Sequence, residues 1–143
     1  MNVEHILSVK GGDVVTIRIK HTMSEAASIL AERRIGAVVV VDEQGAPLGI
    51  ISERDIVKAL GKRGQAVLTE DVSEHMTSKI VTCHRQSGIT ELMGVMTDGK
   101  FRHIPVIEGG RLIGIISIGD LVKHRLAEME AEHQAMHEYI TTA

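Results

Sequence analysis

The chain has 143 residues, of which 43% are hydrophobic and 24% charged, and its formal net charge is −3 at pH 7. This charge argues against a nucleic-acid-binding protein that works through a broad basic face, and the two aromatic residues, Phe101 and Tyr139, cannot form a base-stacking platform. No apolar run approaches the roughly 20 residues of a membrane span, and a single cysteine, Cys83, is typical of a protein in the reducing cytoplasm.

An internal repeat is the dominant feature of the sequence. Residues 45–58 (GAPLGIISERDIVK) and 110–123 (GRLIGIISIGDLVK) align at a constant offset of 65, and an upstream stretch aligns at 66. The segments that precede the two copies also match, EHILS at 4–8 and EHMTS at 74–78. A self-match at a fixed period indicates one structural unit used twice. Because so short a unit buries little core alone, we expect the copies to pack about a pseudo-twofold axis and to form two related clefts.

Each copy predicts the elements β-α-β-β-α, and the fold class is therefore α/β (α+β). Short β-prone stretches lie at 16–18 and 81–83, and amphipathic helical patterns follow at 23–34 and 89–99. Thr22 and Glu25 have the spacing of a capping box at the first of these helices. Continuous apolar runs at 38–41 and 104–107 are typical of strands buried on both faces. A third strand in each copy leads into a helix that begins at Ser52 or Ser117.

Four segments are predicted along the chain: repeat 1 over 1–62, a polar connector over 63–73, repeat 2 over 74–125 and a helical extension over 126–143. The extension carries an apolar stripe that nothing in the monomer is left to cover, so we expect it to lengthen the last helix and to contact a second subunit. His133 and His137 are four residues apart there, but no further ligand set accompanies them, and no metal site is predicted.

The motif G-I-I-S-x-x-D, present in both copies, is the sharpest candidate for function. It places a hydroxyl and a carboxylate at a helix amino terminus, where free N–H groups and the helix dipole attract anions. The carboxylate can accept both hydroxyls of a ribose while the serine faces a phosphate. One copy alone would predict only a capped helix, but the symmetric repetition favours a ligand site. No P-loop, serine–histidine–acid set or Cys-x-x-Cys is present, so no catalytic residue is predicted.

On the doubled motif, the apolar second strand and the repeat spacing, the chain resembles a tandem pair of cystathionine-β-synthase (CBS) domains, a Bateman module, over nearly all of residues 1–125. The resemblance implies two clefts that bind adenosine-bearing ligands, with AMP as the first candidate and ATP, ADP, NAD(H) and S-adenosylmethionine as others. It assigns the ribose to Asp55 and Asp120, and the serine position to Ser52 and Ser117.

The resemblance also implies that each cleft combines residues of both copies. Site A is expected to comprise Thr16, His21, Ile35, Gly36, Ala37, Ile115, Ser117 and Asp120. Site B is expected to comprise Ile50, Ser52, Arg54, Asp55, Thr82, Ser87, Phe101, Arg102 and His103. Small residues at 26, 36 and 37 favour site A for an adenine, whereas residues 92 and 101 would narrow site B. The pair at 102–103 matches, in reversed order, a basic pair at which the family often coordinates phosphate.

The expected function is a non-catalytic regulatory module that senses an adenine nucleotide and acts through a homodimer or an unidentified effector protein. Neither a nucleic acid nor a membrane is expected as a partner. Two alternatives remain open: a structural dimerisation module without a physiological ligand, and a small nucleotide-metabolising enzyme. The enzyme is disfavoured because no residue set combines a nucleophile with a base, and because the resemblance implies that catalytic members carry a separate domain.

Overall fold

The computed structural model describes residues 2–142. Its α-helices are α1 (Val3–Lys10), α2 (Met23–Arg33), α3 (Glu53–Arg63), α4 (Ile89–Gly99) and α5 (Ile118–Thr142). Its strands are β1 (Thr16–Ile17), β2 (Ala37–Val41), β3 (Pro47–Ser52), β4 (His103–Glu108) and β5 (Arg111–Ser117). Two short 3-10 helices, Gly64–Thr69 and Val72–Glu74, follow α3.

The first copy has the predicted β-α-β-β-α order. Its sheet has the order β1-β2-β3, with β1 parallel to β2 and β2 antiparallel to β3. Every residue of β2 is buried, as expected for a strand covered on both faces. The predicted capping box starts α2, because the Thr22 hydroxyl accepts from the Glu25 N–H at 3.1 Å and Glu25 Oε1 accepts from the Thr22 N–H at 3.1 Å. The predicted fold class is confirmed in this half.

The second copy repeats this arrangement with a reduced first strand. β4 and β5 pair antiparallel as a two-stranded sheet, and the predicted strand around 81–83 is only an isolated parallel bridge between Cys83 and Val106. This bridge has the register of Ile17 and Val40 in the first copy, so the symmetry is kept. Burial raises the pKa of the Cys83 thiol to about 11, so the side chain remains a protonated core group at neutral pH.

The segments that precede the two copies cross over. Helix α1 precedes the first copy but packs in the core of the second, where Val3, Ile6 and Leu7 are buried with Ile104 and Ile116. Residues 64–77 precede the second copy, but Val67 and Val72 are buried in the core of the first. The predicted polar connector is therefore a packed part of the first half. The segment that precedes each half therefore completes the hydrophobic core of the other half.

Two equivalent glycines allow this crossing. An added Cβ at Gly114 of β5 would lie 2.6 Å from Leu7 Cδ2, and one at Gly49 of β3 would lie 2.6 Å from Met76 Sδ and 2.9 Å from the Thr77 carbonyl oxygen. Thr77 and Ile50 also exchange two backbone hydrogen bonds of 3.0 Å. The glycine of the G-I-I-S motif is thus a packing residue, required for the close approach of the crossing segment.

The expected lengthening of the last helix is also present. Helix α5 has 25 residues, and Leu121 near its start is buried, whereas all described residues beyond 128 are exposed. None of the helices in residues 2–142 combines the length and apolar character needed to cross a membrane.

We predict that Gly49→Ala lowers the free energy of unfolding by about 1–3 kcal/mol, because the new methyl group would push against Met76 and the Thr77 carbonyl. The matched control is Gly61→Ala within α3, where no atom lies within 4 Å of the added Cβ, and it should raise stability by roughly 0.5–1 kcal/mol. Urea unfolding of both variants measures the difference. A Gly49→Ala protein as stable as the wild type would contradict the crossing contact.

Candidate functional site

A cavity of about 450 Å³ lies between the two halves beside Asp55. Its near wall comes from the end of β3 and the start of α3, and its far wall comes from the second copy. The lining residues are Gly36, Ile50, Ser52, Glu53, Arg54, Asp55, Thr77, Lys79, Ile80, Val81, Gly99, Lys100, Phe101, Arg102, His103 and Pro105. A cleft of this size, lined by apolar groups with a few convergent polar ones, is typical of a small-molecule site.

The near wall is organised by the capping box of α3. The Asp55 N–H donates to Ser52 Oγ at 3.2 Å, while the Ser52 N–H and Oγ donate to Asp55 Oδ2 at 2.9 and 3.0 Å. The Glu53 N–H donates to the Gly36 carbonyl at 2.9 Å, which fixes the helix start against β2. These bonds use Oδ2 of Asp55 and leave Oδ1 available to accept hydroxyl groups of a ligand.

The far wall is a tight turn that α3 holds in place. Helix α4 ends at Gly99, and Lys100 follows in the left-handed conformation with φ 57°. The Phe101 ring then folds against Gly99, leaving no room for a Cβ there. Arg54 of α3 reaches across the cleft, and its Nη1 donates to the Lys100 carbonyl at 3.2 Å. The turn therefore presents an aromatic ring to the cavity at a position set by the first copy.

His103 lines the cavity and is near enough to Lys10 and Asp120 of the other ion pair to feel their charges. Its ring is close to Gly36, where an added Cβ would lie 3.2 Å from Nε2. Burial lowers the pKa of His103, and the positive charges of Lys10 and Arg102 lower it further against the opposing effect of Glu53 and Asp120. The ring is consequently neutral at neutral pH and can gain a proton when an anion enters the cavity.

The cavity wall carries an excess of positive charge. Four basic side chains lie on it: Arg54, Lys79, Lys100 and Arg102. Two are acidic, Glu53 and Asp55. Side chains of Arg and Lys are the usual protein partners of phosphate oxygens, so this wall suits a ligand with an anionic group at one end.

The equivalent aspartate of the second copy, Asp120, has a partner within the chain. The Lys10 ammonium at the end of α1 donates to Asp120 Oδ2 at 2.6 Å and to the Ile115 carbonyl at 2.8 Å. Burial acts to raise the pKa of Asp120, but the hydrogen bonds from Lys10 and Ser117 outweigh it, so this pKa lies below its ordinary value. The Asp120 carboxylate is ionised and already paired within the chain.

The two matching lead-in segments explain this asymmetry. When EHILSVK at 4–10 is aligned with EHMTSKI at 74–80, Lys10 corresponds to Ile80. The position that holds Lys10, the partner of Asp120, thus holds the apolar residue Ile80 in the wall of the Asp55 cavity. Ile50 is the residue equivalent to Ile115. Its backbone bonds the backbone of Thr77, whereas the Ile115 carbonyl accepts from the charged Lys10 side chain.

The structure brings only part of predicted site A together. Ser117, Asp120 and Ile115 meet at Lys10. Thr16 is exposed on β1, and His21 is occupied locally, because its Nδ1 accepts from the Arg18 N–H at 3.0 Å. Three further members have other surroundings: Ile35 packs against the first core, Gly36 lines the Asp55 cavity and Ala37 is buried at the start of β2.

Most of predicted site B lines one cavity. Seven of its nine residues do so: Ile50, Ser52, Arg54, Asp55, Phe101, Arg102 and His103. The other two are elsewhere, because Thr82 is exposed outside the cavity lining and Ser87 is a buried turn residue whose Oγ accepts from the His84 N–H at 3.1 Å. Sequence reasoning missed the residues that follow the second lead-in, Lys79 to Val81, although the EHMTS repeat pointed to that segment.

A cluster of Glu70, Glu74 and His75 has donor atoms close enough to hold a metal ion. Glu70 is already engaged, because Oε2 bonds His75 Nε2 at 2.9 Å and Oε1 bonds Arg63 Nη2 at 2.6 Å. Hydrogen bonds from His75 and then Arg63 lower the pKa of Glu70. The cluster is accounted for as an ion-pair network that ties the 3-10 segment to α3.

Comparison with known proteins gives matches over both halves. The CBS domain family model matches residues 3–62 and again residues 70–127. A CBS-domain-containing protein of Agrobacterium tumefaciens is 50% identical with a TM-score of 0.85, over 87% of this chain and 99% of that one. A CBS domain protein of Pyrobaculum aerophilum, complexed with AMP, is 25% identical with a TM-score of 0.75, over 84% and 89%.

A further solved structure contains two adenosine derivatives. The CBS domain pair of protein MJ0100, in complex with 5′-methylthioadenosine and S-adenosyl-L-methionine, is 27% identical with a TM-score of 0.79, over 90% of this chain and 98% of that one. The mitochondrial CBS domain-containing protein CBSX3 of Arabidopsis thaliana is 36% identical over 83% of this chain and 60% of that protein. The chain spans about two thirds or less of the length of three curated relatives.

The double match of the family model and the shared fold confirm the resemblance inferred from the G-I-I-S-x-x-D motif. The chain belongs to the CBS domain family, as a tandem pair of CBS domains.

Proposed function

We propose that the chain is a non-catalytic regulatory module that binds an adenosine-bearing ligand in the cavity beside Asp55. The observation that carries the proposal is the combination in one cleft of an unneutralised carboxylate and a cationic wall. In the proposed arrangement Oδ1 of Asp55 accepts the ribose hydroxyls. Ile50, Ile80 and Phe101 provide the apolar contacts for the base.

The phosphate end of the ligand is assigned to the second copy. Arg102 and His103 lie on the same wall as Lys79 and Lys100, so a phosphate placed there meets several cations without displacing an internal ion pair. This is the feature that favours AMP or another phosphorylated ligand over an uncharged nucleoside. The neighbours with AMP or with adenosine derivatives bound support the same ligand class.

The Asp120 cleft is proposed as the weaker of the two sites, which reverses the preference drawn from the sequence. A ligand there has to displace the Lys10 ammonium from Asp120 and from the Ile115 carbonyl. Small residues at 36 and 37 do not offset this, because Gly36 opens toward His103 and the Asp55 cavity.

The role proposed for the cavity is regulatory. Its hydroxyl and carboxylate, Ser52 and Asp55, bond each other as a helix cap, and the cavity lining provides no nucleophile paired with a base. A sensor acts by binding one conformation or assembly more tightly than another. We therefore propose that the ligand acts through a homodimer or an effector protein.

We predict that Asp55→Asn weakens AMP binding by about tenfold to a hundredfold, because a charge-assisted hydrogen bond contributes about 1.5–3 kcal/mol. Asp120→Asn is the matched control, since it alters the same capping position in the other copy, and it should leave the main affinity unchanged. Isothermal titration of nucleotide-free protein measures both. Undiminished affinity in Asp55→Asn would remove this cleft from the proposal, and no binding of any adenosine ligand by the wild type would favour a structural module.

Removal of the internal cation should expose a second site. We predict that Lys10→Met raises the number of AMP molecules bound per chain from one toward two, because Asp120 is then no longer paired. Adding Asp120→Asn to this variant should return the number to one. A stoichiometry unaffected by Lys10→Met would show that Lys10 does not restrict the cleft.

Ligand binding should be coupled to protonation of His103. Since burial holds the pKa of His103 below its ordinary value, the neutral ring is favoured in the free protein, and an entering phosphate favours the charged form. We predict proton uptake when AMP binds near pH 6.5, measured as a dependence of the binding enthalpy on buffer ionisation enthalpy. His103→Gln should reduce this uptake, and adenosine should not produce it. Equal uptake in the variant would place the titrating group elsewhere.

The same shift of the pKa predicts how stability depends on pH. The folded state disfavours the charged ring, so the contribution of His103 to stability is present above the unfolded pKa of about 6.5 and decreases as the pH falls below it. In His103→Gln, acid unfolding should therefore begin at a lower pH than in the wild type. Coincident acid-unfolding curves would contradict this role.

A further inference from the structure

Helix α5 leaves the body of the protein after its first turns. Leu121 is fully buried, and the side chains of His124 and Glu128 are each 17% exposed, so these three residues mark the face that packs against the body. All described residues from Met129 onward are exposed. The distal part of α5 therefore has no cover within the chain as described.

The exposed part of α5 carries a regular apolar seam. Its positions are Val122, Leu126, Met129, His133, Met136 and Ile140, and successive members are separated by four, three, four, three and four residues. The five apolar members are between 43% and 66% exposed. Alternating spacings of four and three are the a and d positions of a heptad repeat, which pack against another helix of the same pattern.

The seam is directed away from the body. At about 100° per residue, its centre lies roughly 130° around the helix from the face formed by residues 121, 124 and 128. A second helix can thus lie along the seam without displacing α5 from the core. The heptad spacing of the seam indicates that its partner is a helix, because an irregular apolar patch would not show this spacing.

The charges beside the seam indicate a second copy in parallel orientation. With Leu126, His133 and Ile140 at a, the g positions include Arg125 and Glu132, and the e positions include Glu130 and His137. In a parallel pair each g residue faces the e residue five positions later on the other helix, which places Arg125 opposite Glu130 and Glu132 opposite His137. In an antiparallel pair, by contrast, Glu130 would face Glu130 of the second helix and Glu132 would face its Glu132, so that like charges would be opposed.

We propose that α5 forms a parallel two-stranded coiled coil with α5 of a second copy of this chain. The proposal rests on the exposed face of α5 and is independent of the ligand. Three heptads with a polar His133 at a central a position make a weak and reversible contact, and the paired histidines fix its register. Arg125 already bonds Glu128 in its own helix at 3.1 Å, so its bond to the partner's Glu130 replaces an intrachain pair.

Sedimentation velocity over a range of protein concentrations tests whether the seam is the contact. We expect a reversible monomer–dimer equilibrium whose dissociation constant rises at least tenfold in Met129→Lys and falls in His133→Leu. The control Gln134→Lys adds the same charge on the outward face and should change nothing. A wild type that is monomeric at every accessible concentration, or a dimer that withstands Met129→Lys, would overturn the proposal.

A cysteine cross-link tests the orientation. In a parallel pair the two Ile140 side chains are at the same level, so Ile140→Cys should form an intermolecular disulfide under mild oxidation. In an antiparallel pair they would be separated by roughly 27 Å, from about 18 residues at 1.5 Å each. Gln134→Cys faces outward and serves as the control. A dimeric Ile140→Cys protein that does not cross-link would overturn the parallel arrangement.

Discussion

The fold depends on the crossing of its two lead-in segments. Leu7 packs against Gly114, and Met76 packs against Gly49. The core of each half is therefore completed by the segment that precedes the other half. The two halves are thereby tied to each other, and the Asp55 cavity lies between them. A tandem repeat joined only by a flexible linker would have no defined surface between its copies. The glycine of the repeated motif is accordingly a structural requirement for the cleft.

The strand-to-helix junction combines stability and ligand chemistry in one pair of side chains. Ser52 and Asp55 satisfy each other's backbone N–H groups at the start of α3, and this needs only one carboxylate oxygen. A helix cap of this kind is stabilising whether or not a ligand is present. The aspartate is therefore rigid before a ligand arrives, which reduces the conformational entropy lost on binding.

Much of the fold could be predicted from the sequence because the two copies independently predict the same order of elements. The order β-α-β-β-α, the buried strand at 38–41 and the capping box at Thr22 follow from period, burial pattern and local hydrogen bonding. The strand at 81–83 was overestimated, because β propensity alone does not show how many residues will find a partner. The sequence predicts a polar connector at 63–73, but polar composition does not reveal that Val67 and Val72 within it are fully buried.

The residues of the candidate site that belong to the repeated motif could be predicted. The residues that the crossing segments bring to the site could not. Arg102 and His103 lie beside Asp55 in the cavity, but Thr82 and Ser87 do not, because the chain enters the cleft two residues earlier than the strand alignment implies. The pairing of Lys10 with Asp120 joins residues 110 positions apart, and no local pattern reveals it. Only the swap of α1 onto the second half brings that ammonium to the carboxylate.

The position of His103, beside the Asp55 cavity and within the electrostatic influence of Lys10 and Asp120, has a thermodynamic consequence. The ring lines the Asp55 cavity, and its proton affinity is also affected by the charges of Lys10 and Asp120. Any event that charges this ring adds a cation close to the Lys10 ammonium and weakens its hold on Asp120. Linkage is reciprocal, so release of Lys10 would favour a charged ring to the same extent. Under the proposed function, this imidazole would couple ligand binding beside Asp55 to the Lys10–Asp120 pair, without movement of either sheet.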